Sequence, residues 1–275
     1  MPEAAAWPDG RRITISDLQA ATDRGERWSM LTSYDTLTAG VFEQAGVRAL
    51  LVGDTSAEMV LGYETTVPMT MDQLVPMVQA GVRGTRTALV VADLPFGSYE
   101  AEPESAVRNA VRYLKEGGAQ AVKLEGGGRV LPQVRVLTTA GIPVMGHLGL
   151  TPQSINTLGG VRRVQGRGPA GDELLADALA LEQAGAFAVV LESVPAELGR
   201  RVSGALRIPT VGIGAGQYCD AQIMVWQDMA GLTTGRLPRF VKQYADLRET
   251  LLDATRRFTD DVSDGRYPDA EHSYT

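Results

Sequence analysis

Four apolar runs in this chain each end on a carboxylate. Ala49-Leu50-Leu51-Val52-Gly53 runs into Asp54, and Ala88-Leu89-Val90-Val91-Ala92 into Asp93. Ala121-Val122-Lys123-Leu124 runs into Glu125, and Phe187-Ala188-Val189-Val190-Leu191 into Glu192. Short apolar runs between helical stretches read as parallel strands buried on both faces. An acid at the C-terminal end of several such strands is what a barrel enzyme presents to its substrate. One such acid says little. Four in one chain predict acids gathered around one point, where a divalent cation relieves their mutual repulsion.

The same rhythm runs along the whole chain. Spacing predicts helices over 13–24 (Ser16 as a cap inside it), 36–45, 71–84, 104–116, 130–140, 172–184 and 195–206. Strands are predicted over 28–33, 49–53, 87–92, 121–124, 143–146, 187–191 and 209–213, with an eighth, weak one near 229–233 and a closing helical region over 240–262. Gly46, Gly117-Gly118, Gly141 and Gly185 end four of the helices, each just before a strand. Repeated βα units either close into a barrel or form an open doubly wound sheet. Chemistry-bearing residues follow nearly every strand and do not cluster at one switch point, which favours a (β/α)8 TIM barrel. Residues 1–12 are expected to be loosely attached, and 13–275 to form a single domain.

Bulk properties fit that expectation. A chain of 275 residues with 44% apolar content suits one large α/β domain. A diffuse net charge of −7 argues against nucleic acid or an anionic membrane as the main partner. The apolar runs fall far short of the ~20 residues of a membrane span, and Met1–Gly10 has no signal-peptide core. The one cysteine, Cys219, excludes an intrachain disulfide and has nothing near it in sequence to activate it, so the expected location is cytoplasmic.

Several residues carry candidate chemistry, each with a bland alternative. Asp54, Asp93 and Glu125 suit Mg²⁺, which takes few protein carboxylates, several waters and substrate oxygens. Any one of them could equally be a helix cap or a solvated turn. Lys123 alternates with Val122 and Leu124, which places it on the barrel interior in line with Glu125. It would meet a substrate carboxylate there, or a permanent partner in Glu125 or Asp93. His147, in Met145-Gly146-His147-Leu148-Gly149, is either a donor to substrate or structural. Glu192, flanked by apolar residues, suits a base or caps the helix that begins near Pro195. Gly212-Ile213-Gly214-Ala215-Gly216 is either an anion cradle or a tight turn. The loop 159–168, with Arg162, Arg163 and Arg167, is either a lid that meets an anionic co-substrate or a solvated loop.

Taken together, these stretches resemble the ketopantoate hydroxymethyltransferase family. The matching runs are Leu51-Val52-Gly53-Asp54, Ala92-Asp93-Leu94-Pro95-Phe96, Val122-Lys123-Leu124-Glu125-Gly126-Gly127 and Gly146-His147-Leu148-Gly149-Leu150-Thr151-Pro152-Gln153-Ser154. They continue through Val164-Gln165-Gly166-Arg167-Gly168, Leu191-Glu192, Gly212–Gly216 and Glu271-His272-Ser273, so the resemblance covers about 13–274 in order. It implies a barrel of the phosphoenolpyruvate mutase/isocitrate lyase superfamily type. The implied reaction is transfer of a hydroxymethyl group from 5,10-methylenetetrahydrofolate to 3-methyl-2-oxobutanoate, giving 2-dehydropantoate. By resemblance, Asp54, Asp93 and Glu125 form the Mg²⁺ site, and Asp54, Thr55, Asp93 and Lys123 contact the keto acid. Glu192 is then the proton acceptor, and the assembly a decamer of two stacked pentameric rings. His147 is expected to hydrogen-bond the substrate.

Three departures stand out: Thr55 where the family has serine, Val161 where it has an aromatic residue, and a loop lengthened by one residue at Arg162-Arg163. The rival readings are a carbon–carbon lyase of the same superfamily, a non-catalytic paralogue and a folate-independent aldolase. Such lyases carry a catalytic cysteine loop, and Cys219 is not in one. A non-catalytic paralogue would have lost acids that are all present here.

Overall fold

The structure is a computed structural model that describes residues 7–159 and 164–274. Among these, eight strands close into a parallel barrel in chain order. They are β1 (Trp28–Thr32), β2 (Ala49–Val52), β3 (Leu89–Asp93), β4 (Ala121–Glu125), β5 (Val144–Gly149), β6 (Ala188–Glu192), β7 (Thr210–Ile213) and β8 (Ala221–Met224), with β8 pairing back onto β1. Ahead of β1 lies α1 (Ile15–Asp23), and after it α2 (Thr36–Gln44). The short α3 (Ser56–Met59) and longer α4 (Met71–Gly84) follow β2; α5 (Pro103–Arg112) and α6 (Leu131–Thr139) follow β3 and β4. Then come α7 (Ile155–Leu158), α8 (Ala170–Gln183) and α9 (Ala196–Ala205), and after β8, α10 (Trp226–Met229) and α11 (Leu247–Ser263).

The barrel interior follows from the strand period of two. Alternate residues Ala121, Lys123 and Glu125 on β4 repeat as Leu89, Val91 and Asp93 on β3, and as Ala188, Val190 and Glu192 on β6. The lower members join Met30, Ala49, Leu51, Met145, Val211 and Ile223 in one apolar cluster. Leu18 and Ala21 of α1 belong to the same cluster, so α1 closes the N-terminal mouth. Each buried Leu or Val contributes about 1.5–3 kcal/mol. The upper members are charged, so along β3, β4 and β6 the interior changes from dry to ionic within two residues of the strand end.

Carboxylates also serve the N-terminal face, in a different way. Glu43 of α2 accepts hydrogen bonds from the backbone N–H of Arg86, Thr87 and Ala88, just before β3. Glu182 of α8 accepts from Arg207 N at 2.7 Å and Ile208 N at 3.2 Å, just before β7. Asp220 accepts from Thr210 N at 2.8 Å. These acids clamp helix ends and strand starts together.

The structure differs from the sequence reading at three elements. The cap of α1 is Thr14, in a reciprocal capping box with Asp17, and not Ser16. The eighth strand is Ala221–Met224 and not 229–233, where α10 ends. Ala221 and Ile223 face inward and Gln222 outward, a pattern too short to stand out in sequence. The C-terminal helix begins at Leu247, not Phe240, because the Asp246 side chain caps it by accepting from Glu249 N. Within 1–12, Trp7 donates to Glu26 and lies under the Arg48 guanidinium, while Arg12 donates to Thr85 O at 2.7 Å. Among the described residues, those up to Met224 form one compact unit and those from Val225 another. No residue of α11 is buried.

Candidate active site

The charged ends of β2 to β6 meet at the C-terminal face of the barrel. Asp54, Asp93, Lys123, Glu125 and His147 are each 3% exposed or less. Lys123 Nζ stands 2.8 Å from Asp93 Oδ1 and 3.5 Å from Glu125 Oε1. Glu125 Oε1 lies 3.0 Å from His147 Nδ1, and His147 Nε2 lies 3.2 Å from Glu192 Oε2. Asp54 N donates to Asp93 Oδ2 at 3.4 Å. One unbroken chain of contacts therefore joins Asp54, Asp93, Lys123, Glu125, His147 and Glu192. The permanent partner foreseen for Lys123 is present in Asp93, and its interior placement follows the strand alternation. Thr55 follows Asp54, makes no side-chain cap on α3 and is half-buried.

Crowding of like charge dominates the electrostatics. Burial, followed by the charges of Asp93 and Glu125, pushes the Asp54 pKa well above the usual carboxylate range. Burial also raises Asp93, against the pull of Lys123. Burial opposes ionisation of Glu125 too, but Lys123, His147 and the Gln153 N–H outweigh it and hold its pKa at about 2. For His147, burial and Lys123 favour the neutral ring, and Glu125 and Glu192 overcome them, raising its pKa to about 9. Lys123 is held charged: burial disfavours the ammonium, but Asp93, Glu125 and Asp54 prevail.

Neighbouring loops fix this cluster in place. Tyr99 and Tyr113 are fully buried, and the Tyr113 hydroxyl donates to Asp93 O at 2.7 Å. After β4, Gly127 is required because a Cβ there would collide with the Asp177 carboxylate, which accepts from Gly128 N at 2.9 Å. Ser193, next to Glu192, holds φ at 50°, a strained value for a residue with a side chain. Its carbonyl accepts from Gln165 N at 2.8 Å, which ties one end of the Arg-bearing loop beside Glu192. Val161, Arg162 and Arg163 lie outside the described residues. Gly212–Gly216 makes a tight turn: a Cβ on Gly216 would collide with Ala196 at the start of α9. Cys219 is buried just before β8, at the opposite end of the barrel from the acids.

Sequence reasoning assigned no role to Gln153 or Tyr99, yet both sit among the acids. Gln153 Nε2 donates to Asp54 Oδ2 at 2.8 Å and the Tyr99 hydroxyl donates to Gln153 Oε1 at 2.6 Å. Gln153 stood in the run Gly146–Ser154 that carries the family resemblance, with no role attached to it, and Tyr99 carried no such signal.

The donor set fits a hard divalent cation. Among the described residues, Lys123 and His147 are the cations paired with these buried carboxylates, so ionising all three acids would leave excess negative charge at low dielectric. Among the described residues, Asp93 Oδ1 has no hydrogen-bond donor apart from its ion-pair partner Lys123. Among the described residues, no three His, Cys, Asp or Glu side chains form a ready-made metal cage. Mg²⁺ does not need one, since it keeps several waters and binds through one or two carboxylates plus substrate.

A closed (β/α)8 barrel with acids, a lysine and a histidine converging at the strand C-termini has the form of a barrel enzyme. The fold matches phosphonopyruvate hydrolase in complex with oxalate and Mg²⁺, with a TM-score of 0.62 at 15% identity over 94% of this chain and 93% of that one. It also matches 2,3-dimethylmalate lyase, a PEP mutase/isocitrate lyase superfamily member, with a TM-score of 0.59 at 17% identity over 94% and 91%. Residues 12–270 match the ketopantoate hydroxymethyltransferase profile, and the chain belongs to that family. It is 64% identical to the 3-methyl-2-oxobutanoate hydroxymethyltransferase of Frankia alni, over 99% of this chain and 90% of the relative. It is 58% identical to the enzyme of the same name from Thermobifida fusca, over 96% and 94%.

Proposed function

We propose that the protein transfers a hydroxymethyl group from 5,10-methylenetetrahydrofolate to 3-methyl-2-oxobutanoate, giving 2-dehydropantoate in pantothenate biosynthesis. The observation that carries this is a family match over residues 12–270 in which every expected acid is present, with Asp93, Glu125 and Glu192 linked through Lys123 and His147 and Asp54 joined by its backbone N–H to Asp93. Asp54, Asp93 and Glu125 would hold Mg²⁺ or a similar divalent ion. Bound there, the metal supplies a Lewis acid that polarises the keto carbonyl. Glu192 takes the C3 proton. His147 stands between Glu192 and Glu125 and fixes the side chain that receives it. Lys123 balances the negative charge of the keto acid and its enolate. Thr55 offers a hydroxyl to the keto acid. The enolate carbon forms a bond to the one-carbon unit, water supplies the hydroxyl oxygen, and both C–N bonds to the folate break. The C3 proton and one proton of water end on the folate nitrogens, so that C3–H gives way to C3–CH2OH and tetrahydrofolate leaves.

The test is product formation from purified protein, the keto acid and Mg²⁺, followed by NMR, with methylenetetrahydrofolate or formaldehyde as donor. Product in the folate arm is expected. Product from formaldehyde alone would indicate a folate-independent aldolase, and no product in either arm would overturn the assignment.

Two further features belong to the same proposal. No helix among the described residues is long and apolar enough to cross a membrane, which agrees with a cytoplasmic enzyme. Leu37 and Val41, one turn apart on α2, are 82% and 60% exposed, which agrees with a homo-oligomer, a decamer by resemblance. Analytical ultracentrifugation distinguishes a decamer from a monomer directly.

A further inference from the structure

Gln153 occupies a place that a simple space-filling residue would not need. It lies in the 3-10 turn Pro152–Ser154 after β5 and is 3% exposed. Its side-chain amide donates to Asp54 Oδ2 at 2.8 Å and to Leu94 O at 3.0 Å. Its Oε1 accepts from the Tyr99 hydroxyl at 2.6 Å, and its backbone N–H donates to Glu125 Oε2 at 3.1 Å. One residue thus ties together the ends of β2, β3 and β4 and the turn after β5. It holds one oxygen of two different acids.

The observed orientation gives the amide N–H groups two acceptors. Flipped, Oε1 would face the Leu94 carbonyl, which has no proton to give, and both donor bonds would be lost. The Tyr99 hydroxyl accepts from Glu125 N at 3.2 Å; of its two acceptors, Gln153 Oε1 at 2.6 Å is nearer than Glu125 O at 3.2 Å, which favours the observed orientation. Gln133 Nε2 in turn donates to Tyr99 O at 3.2 Å.

We propose that Gln153 is a positioning residue that sets the direction in which the carboxylates of Asp54 and Glu125 face the site, with Tyr99 locking its amide. This rests on the metal and keto-acid reading above. Gln153→Met tests it, since methionine keeps the length and the backbone N–H to Glu125 but loses the amide. Calorimetric titration with Mn²⁺ should show a dissociation constant raised by about 10–100-fold, the usual cost of losing an outer partner of a metal ligand. The kcat should fall while KM for the keto acid stays near that of the wild type. Tyr99→Phe should move both in the same direction by less.

Wild-type Mn²⁺ affinity and kcat in Gln153→Met would overturn the proposal. If that variant does not fold, wild-type behaviour in Tyr99→Phe overturns it instead. If the wild type itself binds no Mn²⁺, the metal reading fails and the crystal structure of metal-free Gln153→Met decides. An Asp54 carboxylate turned from its wild-type direction supports the positioning role, and an unmoved one overturns it.

Discussion

The two ends of this barrel use the same side chains for opposite purposes. At the N-terminal end, Glu43, Glu182 and Asp220 each accept backbone N–H groups, so their charges are satisfied by the fold. At the C-terminal end, Asp54 and Asp93 are buried among other acids, and burial makes their charged forms costly. The first set stabilises the structure. The second is held in a state that the fold alone would not choose, and such stored cost marks a site built for a ligand. An acid near a strand is informative only once its end of the barrel is known.

The largest effects should appear at the C-terminal end, in activity without loss of fold. Glu192→Gln removes the proton acceptor and should lower kcat by roughly 10³-fold, within the usual range for a lost general base. Thermal unfolding should stay near wild type, since the Glu192 side chain is 17% exposed and, among the described residues, its carboxylate meets the His147 ring and no backbone N–H. Steady-state kinetics beside calorimetry would check both halves. Asp54→Asn should lower turnover by about 10²-fold or more through the metal site. In metal-free protein the same change should raise the melting temperature, because asparagine accepts from Gln153 without burying a charge. A fall in both quantities would erase the contrast between the two ends.

The N-terminal end should behave in reverse. Glu43→Ala leaves three backbone N–H groups without their acceptor and should cost about 2 kcal/mol of stability. The kcat of the folded fraction should not change. Burial opposes ionisation of Glu43, but these N–H bonds outweigh it and hold its pKa below the usual value. The stability it adds is therefore fully present above the unfolded-state pKa of about 4.5 and is lost as pH falls through the lower folded value. Denaturant melts from pH 6 to 3 should show Glu43→Gln losing stability less steeply than wild type. Glu182→Ala, with two N–H groups at stake, should cost about 1 kcal/mol.

Much of this was legible in the sequence. The barrel followed from apolar runs between glycine-ended helices, and Lys123 and Glu125 shared a face because strands alternate. Asp54, Asp93 and Glu192 announced themselves as acids at strand ends. Gln153 and Tyr99 did not, because an amide in a turn and a tyrosine in a loop look the same whether they face solvent or a carboxylate. The Asp93–Lys123 pairing could be named only as an alternative, since partners 30 residues apart depend on the register of β3 against β4. The eighth strand was displaced because Ala221–Met224 offers only two inward residues, while 229–233 carries more apparent apolar weight.

The central claim is that this cluster enolises a keto acid. Loss of the C3 proton of 3-methyl-2-oxobutanoate to D₂O, followed by NMR with Mg²⁺ and with EDTA, tests it most directly. A second arm adds tetrahydrofolate, in case the folate is needed to close the site. Exchange with Mg²⁺ that disappears in EDTA and in Glu192→Gln is the predicted result. No exchange from folded wild-type protein in either arm, or exchange undiminished in Glu192→Gln, would contradict the account.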